Sequence, residues 1–491
     1  MRFKMINRTL CLICTIIAML TIIGCEDSLT ILPRDGLVQD EYWKRKEDIE
    51  ATLMGAYQKF AQMDEKLFYY GELRGDLVDE GANLPNEMRD IMNSNIYPWN
   101  SLTDWTPFYA IINYCNSVLR FSHLVPNYDP TLTPYKLNQF NAEAIFLRSL
   151  AYFYLVRVFN DIPLILDPYD TDDQDFFPGK TESSLVISTI KEDLTAILDK
   201  IPESHPDNEQ TRGRATRGAV NALLADISLW NFEYEDCIKY VEAIEDDKQY
   251  VLLPNGKWFT LFSEGNTLEG IFEFQFDGRL GQYNSMYDIT RPESNYFTGS
   301  LFAREILIPE YSKESIRGFG TLNPLNNFIW KYVGNEPDPI RRRSSAEQAD
   351  CNWIVYRLAD LLLMKAEALS QIGRYNEALN IINSIRERAS MQGVSASLNP
   401  QAFEDIILLE RAKELAFEGK RWFDLLRMGR RNNYQRKAKL IELVIENVPA
   451  TQKRVLASKL NDPNGWYLPI NQREIENNSN LVQNPYYKAY E

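Results

Sequence analysis

Ala366-Glu367-Ala368-Leu369-Ser370-Gln371-Ile372-Gly373-Arg374-Tyr375-Asn376-Glu377-Ala378 joins two helical patterns through a glycine turn. Apolar residues recur three and four apart on both sides, the spacing of one buried helix face. Glycine after the last periodic residue is a helix stop. Ala366 and Ala378 are small enough to let the two helices approach, and Tyr375 can plug their junction. The same spacing occurs once more: Ala225, Tyr234 and Cys237 repeat the offsets of 9 and 12 residues set by Ala366, Tyr375 and Ala378. The copies lie 141 residues apart, so they form no tandem array. The pattern predicts a degenerate helical solenoid interrupted by loops.

Helical periodicity extends outward from this stretch. It is predicted over residues 41–60, 105–124, 138–159, 183–201 and 216–230, and again over 352–388 and 401–430. Small residue, turn, tyrosine and small residue at those offsets resemble a tetratricopeptide helix pair. Between 250 and 350 the texture changes: Gly, Pro, Asn and aromatics rise and the helical period fades. Ile271-Phe272-Glu273-Phe274-Gln275-Phe276 reads as a short strand. The expected architecture is mainly α: a tetratricopeptide-like scaffold with long irregular loops and a few short strands, in one large globular body. Its expected parts are a leader (1–24), a tether (25–38), an N-terminal helical part (39–245), a loop-rich insertion (246–351) and a C-terminal helical part (352–491).

The leader carries Arg2, Lys4 and Arg8, then an apolar run to Ile23, then Gly24-Cys25 and the acidic pair Glu26-Asp27. Basic start, short apolar core and a small residue at the cut form an export signal. A small residue directly before cysteine resembles a bacterial lipobox, which implies cleavage before Cys25 and a lipid on its thiol. The acidic pair resembles a surface-export tag. No other apolar run approaches the roughly 20 residues a membrane helix needs.

Cleavage would remove three positive charges and take the formal charge from −16 to −19. A body this acidic is a poor nucleic-acid binder, because phosphate neutralisation needs clustered Lys and Arg. Arg341-Arg342-Arg343 reads as a solvated loop. His123 and His205 are the only histidines. That leaves little for a histidine metal site or a Ser-His-Asp arrangement, and both read as structural. Cys115, Cys237 and Cys351 are too widely spaced for a disulfide framework and read as small buried hydrophobes. No metal site and no cofactor are expected.

Glu410, Glu414 and Glu418 fall four apart and predict a ladder on one helix face. Acid–base hydrolysis of a glycoside needs two carboxyls flanking a substrate, not a row along a helix. Arg411, Arg421 and Arg427 are available as counter-ions, so the ladder reads as structural ion pairing. Arg148, inside an apolar helix, reads as a charge met by a neighbouring acid.

Four stretches resemble the SusD/RagB family. They run from Ala142-Glu143-Ala144-Ile145 to Pro163-Leu164, from Gly213-Arg214-Ala215-Thr216 to Ala225, from Tyr356-Arg357-Leu358-Ala359 to Ala368, and from Glu410-Arg411-Ala412-Lys413 to Leu425. Leu468-Pro469-Ile470 and Asn480-Leu481-Val482-Gln483-Asn484-Pro485 fit as well. Lys420 stands where many members have histidine. The resemblance implies a surface lipoprotein of the outer membrane. Such a protein captures glycan for a SusC-type TonB-dependent transporter and catalyses nothing. The alternative is a RagB-like peptide-uptake protein.

Loop residues are the expected ligand contacts, since loops on a rigid scaffold carry function disproportionately. In the first loop region Arg74, Asp79, Asn83 and Asn100 could bond sugar hydroxyls, with Trp99 as a stacking face. In the second, Tyr283, Tyr287, Tyr296 and Trp330 are the candidates. Trp105 begins an amphipathic helix and reads as core.

Overall fold

The computed structural model describes residues 42–169, 174–307, 316–338, 340–345, 350–395, 399–446 and 448–490. The expected leader, Cys25 and the tether lie outside the described residues. The chain opens with helices α1 (Lys46–Ala61) and α2 (Asp64–Glu72), strand β1 (Val78–Glu80) and helix α3 (Asn86–Met92). It continues through α4 (Thr106–Phe121), α5 (Pro134–Phe159), α6 (Ser183–Thr195), α7 (Asn208–Gly213), α8 (Arg217–Trp230) and α9 (Tyr234–Asp246). Strands β2 (Gly270–Phe274) and β3 (Phe297–Gly299) lie in the glycine- and aromatic-rich segment. After β4 (Trp353–Arg357) come α10 (Leu358–Gln371), α11 (Tyr375–Arg388), α12 (Pro400–Glu414) and α13 (Arg421–Tyr434).

The two copies of the quoted pattern are the hairpins α8–α9 and α10–α11. They are distant in the chain and adjacent in space, because α10 packs on both α8 and α9. Ala225, Cys237, Ala366 and Ala378 are wholly buried, and the helix axes approach over these short side chains. The ring of Tyr375 meets Phe403 edge-on at 5.5 Å. Gly373 has φ +82° with open space where a Cβ would sit. Its counterpart in the first hairpin is Phe232, at φ +64°. Both turns therefore need a left-handed residue, and only the second copy meets that need with glycine.

Helix α5 starts at the Thr133 cap and is buried on every face from Leu150 to Phe159. A helix that is apolar all round is an interior helix. Arg148 meets an acid as the sequence reading expects, bonding Asp193 at 2.7 Å, and Arg157 bonds Asp226 at 3.2 Å. One continuous apolar core, with Trp105 in it, draws on every one of these helices but α7. A smaller core of Trp258, Phe262, Tyr287, Trp330 and neighbours sits within the insertion. Cys115, Cys237 and Cys351 are buried free thiols.

Tertiary structure overrides the helical reading in two places. Residues 353–357 form β4, antiparallel to β2, with Phe274 opposite Trp353 and Gly270 opposite Arg357. Trp353-Ile354-Val355-Tyr356 is aromatic and β-branched, and such residues fit a buried pleated surface better than a helix. The predicted helix 401–430 stops at Glu414 and restarts at Arg421. Phe417 (φ +66°) and Gly419 (φ +70°) turn the chain between the two helices. The turn seats against α2 at Gly71, where a Cβ would lie 1.9 Å from the Gly419 carbonyl oxygen.

The acidic row is ion-paired, but with partners other than those expected. Glu410 bonds Arg317 (2.9 Å) and Arg386 (2.7 Å). Glu414 bonds Arg317 (2.8 Å), Arg357 (2.7 Å) and Arg388 (2.5 Å). Glu418, beyond the helix end, bonds Lys331 (2.7 Å) and Arg357 (2.8 Å). Arg411 turns to Asp424 and Asp360, Arg421 to Asp76, and Arg427 to Glu367 and Asp424. The break after Glu414 changes which face Glu418 presents. Buried guanidiniums from distant segments then replace the local counter-ions. Arg343 corrects the solvated-loop reading: it is buried and donates to the Tyr332 and Phe262 carbonyls. Arg341 and Arg342 are exposed.

Candidate functional site

The two loop regions singled out in the sequence meet as a ribbon. β1 pairs antiparallel with β3, placing Asp79 opposite Thr298 and Glu80 opposite Phe297. Pairing continues past the strands: the Gly81 N–H donates to Tyr296 O (2.8 Å) and the Asn83 N–H to Asn295 O (3.1 Å). Asp79 and Asn83 are exposed and Tyr296 is half-buried. Helix α3 follows directly. Arg89 donates to Glu80 and to Asn86 Oδ1, each at 2.8 Å. The 97–101 loop is tied to α3 by Ser101, whose Oγ donates to Glu87 Oε2 (2.5 Å). On that loop Trp99 is 61 % exposed, its ring parallel to Tyr97 at 5.0 Å. Asp79, Asn83, Tyr296 and Trp99 thus belong to one connected surface.

Four expected contact residues lie inside the protein instead. Arg74 donates to the carbonyls of Trp466 (2.6 Å) and Gly465 (2.7 Å) and stacks over Trp422. Asn100 is buried as a cap: its amide donates to Glu87 O (3.0 Å) and its Oδ1 accepts from the Leu102 N–H (2.9 Å). Tyr287 and Trp330 are buried in the insertion's own core, with Trp330 Nε1 donating to Glu336 O (2.7 Å). Large aromatics in an irregular segment bury against each other when no helix supplies the apolar surface they need.

Tyr283 is exposed and lines an open cleft of about 850 Å³. Met54 and Gln58 on α1 and Gln62, the residue capping its C-terminus, form a row four apart that lines the cleft. Leu280, Gln282 and Tyr283 line it from a loop, and Glu209, Gln210 and Arg214 line it as well. The volume falls in the range of small-ligand sites. The glutamines were missed in the sequence because a polar i, i+4 pair looks the same on a solvated face as in a cleft. Arg214 is occupied elsewhere: it donates to both oxygens of Glu143 (2.7 and 3.0 Å) and to Glu50 (2.8 Å). Gln275 exchanges amide hydrogen bonds with Asn266 at 2.9 Å.

Asp64 stands in the cleft wall, 1 % exposed. Its Oδ2 accepts the Ser285 N–H at 2.6 Å, while Oδ1 has no hydrogen-bond partner among the described residues. Burial pushes its carboxyl up to about 6 despite the Ser285 bond. Further along α2, Tyr69 donates to Glu65, and its ring meets Phe297 of β3 at 5.7 Å. The ribbon and the cleft therefore adjoin. Among the described residues no three His, Cys, Asp or Glu side chains converge as a metal site. No helix among them is long and apolar enough to cross a membrane.

The fold is a tetratricopeptide-like helical scaffold that presents an open polar and aromatic cleft. The SusD family model matches residues 313–487, and a second model, described as starch-binding associating with outer membrane, matches residues 34–229. The chain belongs to the SusD family. It is 26 % identical to SusD-like protein P38 of Formosa agariphila, covering 94 % of this chain and 96 % of that one. A SusD-like protein of Bacteroides ovatus is 23 % identical, covering 82 % and 79 %. Among solved structures, a laminarin binding SusD-like protein superposes with TM-score 0.72 at 21 % identity, over 90 % of this chain and 100 % of that one. Surface glycan-binding protein A from Bacteroides uniformis gives 0.73 at 20 %, over 90 % and 99 %. At these identities the structural likeness speaks for the fold.

Proposed function

We propose that this protein is a glycan-capturing lipoprotein, anchored through Cys25 to the outer membrane and facing the cell surface. It passes its ligand to a SusC-type TonB-dependent transporter. It holds the ligand without catalysing a reaction on it. The observation that carries this reading is the open cleft, where exposed carboxamides stand beside the exposed face of Tyr283. Sugar rings offer that pair of features: hydroxyls around the rim and C–H patches on the face. The adjoining ribbon extends the contact surface through Asp79, Asn83, Tyr296 and Trp99. The names of two structural neighbours, one binding laminarin and one a surface glycan-binding protein, support the ligand class.

The acidic side chains Asp79, Glu80 and Glu87 on the ribbon and α3 favour the second reading, a peptide ligand recognised by charge. Binding of the full chain in detergent to a polysaccharide panel and a peptide mixture, by calorimetry, separates the two. Glycan binding weakened by Tyr283→Ala or Trp99→Ala supports capture at this surface. Binding of peptides alone supports the rival. Hydrolysis of a bound glycan would overturn the non-catalytic reading.

A further inference from the structure

We propose that the cleft selects uncharged glycans: a neutral oligosaccharide lies along the Met54–Gln58–Gln62 row and is held against Tyr283, while uronate and sulfated chains are refused. This rests on the glycan-capture reading and narrows it. Recognition of a carboxylate or sulfate calls for a free guanidinium or ammonium, since bidentate charged pairs give that contact its strength. Arg214 is the one Lys or Arg among the described residues lining the cleft, and all three of its guanidinium nitrogens donate to the carboxylates of Glu143 and Glu50, which neutralise it. Glu209 and Asp64 add negative charge to the walls. An anionic chain would pay desolvation with no compensating partner.

A neutral polyol meets the opposite situation. Each glutamine amide both donates and accepts, as a hydroxyl does. Gln58 and Gln62 repeat one helical turn apart, about 6 Å along α1, and Gln282 faces the same space from the loop. Met54, Leu280 and Tyr283, all exposed, supply apolar contact for ring faces.

The test is calorimetric titration of the full chain in detergent with laminarin, starch, xylan and mannan, and with alginate, pectate and carrageenan. The expected result is binding to at least one neutral polymer and none to the anionic ones. Gln58→Ala combined with Gln62→Ala should weaken that binding at least tenfold. Both positions are exposed and alanine is a strong helix former, so the fold should be retained. Gln58→Lys with Gln62→Lys should admit alginate. Preference of the unchanged chain for an anionic polymer would overturn the selectivity and leave glycan capture standing. Neutral binding indifferent to the double alanine variant would overturn the placement. Peptide binding with no glycan bound would overturn both this inference and the function it rests on.

Discussion

At Gly373 one atom decides a turn. A Cβ there meets open space, so replacement by alanine carries only the cost of a left-handed backbone, about 1 kcal/mol. Gly373→Ala should lower stability by that amount in urea titration. The tryptophans named from sequence separate in the same way. Trp330 is 3 % exposed, and truncation to alanine should cost about 3–5 kcal/mol. Trp99→Ala should leave the unfolding midpoint unchanged and act on ligand affinity. Glu72 sets a pH dependence. Its carboxyl is buried and pushed up to about 8, although it accepts the N–H groups of Gly419 and Lys420. Between about 4.5, its unfolded value, and 8 the folded protein keeps a proton that the unfolded chain has released. Stability must therefore fall as pH rises through that window and level off above it. Asp64 acts in the same direction up to about 6. In Glu72→Gln the decline in midpoint from pH 5 to pH 8.5 should be smaller than in the parent; an unchanged decline would show that Glu72 is not its source.

Elements meet at charges that no single element could satisfy. Arg357, the last residue of β4, bonds Glu269, Glu414 and Glu418, all buried. Burial alone would raise Glu414, but Arg388, Arg357 and Arg317 hold it well below the usual carboxylate range. Removing one partner of such a network strands the others in a dry interior. Arg357→Met should therefore cost about 3–5 kcal/mol in denaturant unfolding. Arg374→Ala, which removes an exposed pair with Glu377, should produce no measurable change. The acidic row was legible as structural. Its partners were not, because Arg317, Lys331 and Arg357 come from three separate segments and Arg386 and Arg388 from α11. The ribbon is a similar case. Asp79 and Tyr296 were each singled out on their own loop, and only the pairing of β1 with β3 makes them neighbours.

Across the whole molecule, the two hairpins stack through α10, and the proposed ligand surface lies on the ribbon and on the cleft between α1 and the 280–283 loop. If the anchor is as proposed, Cys25→Ser should shift the protein out of the outer-membrane fraction on cell fractionation, with ligand affinity unaltered in vitro. Retention in that fraction would show that another contact holds it there. Local pattern alone determined the helical class, the two hairpins, the buried apolar helix α5 and the strand near Ile271. Periodicity and turn residues act over a few neighbours and are written in the chain itself. Tertiary structure alone decided that the hairpins stack, that 353–357 is a strand, and that Arg74, Asn100, Tyr287 and Trp330 face inward. It also brought the glutamines of α1 to face Tyr283. Whether a loop side chain is buried or presented depends on what packs against it, and for Arg74 that surface, at Gly465 and Trp466, lies 391 and 392 residues away.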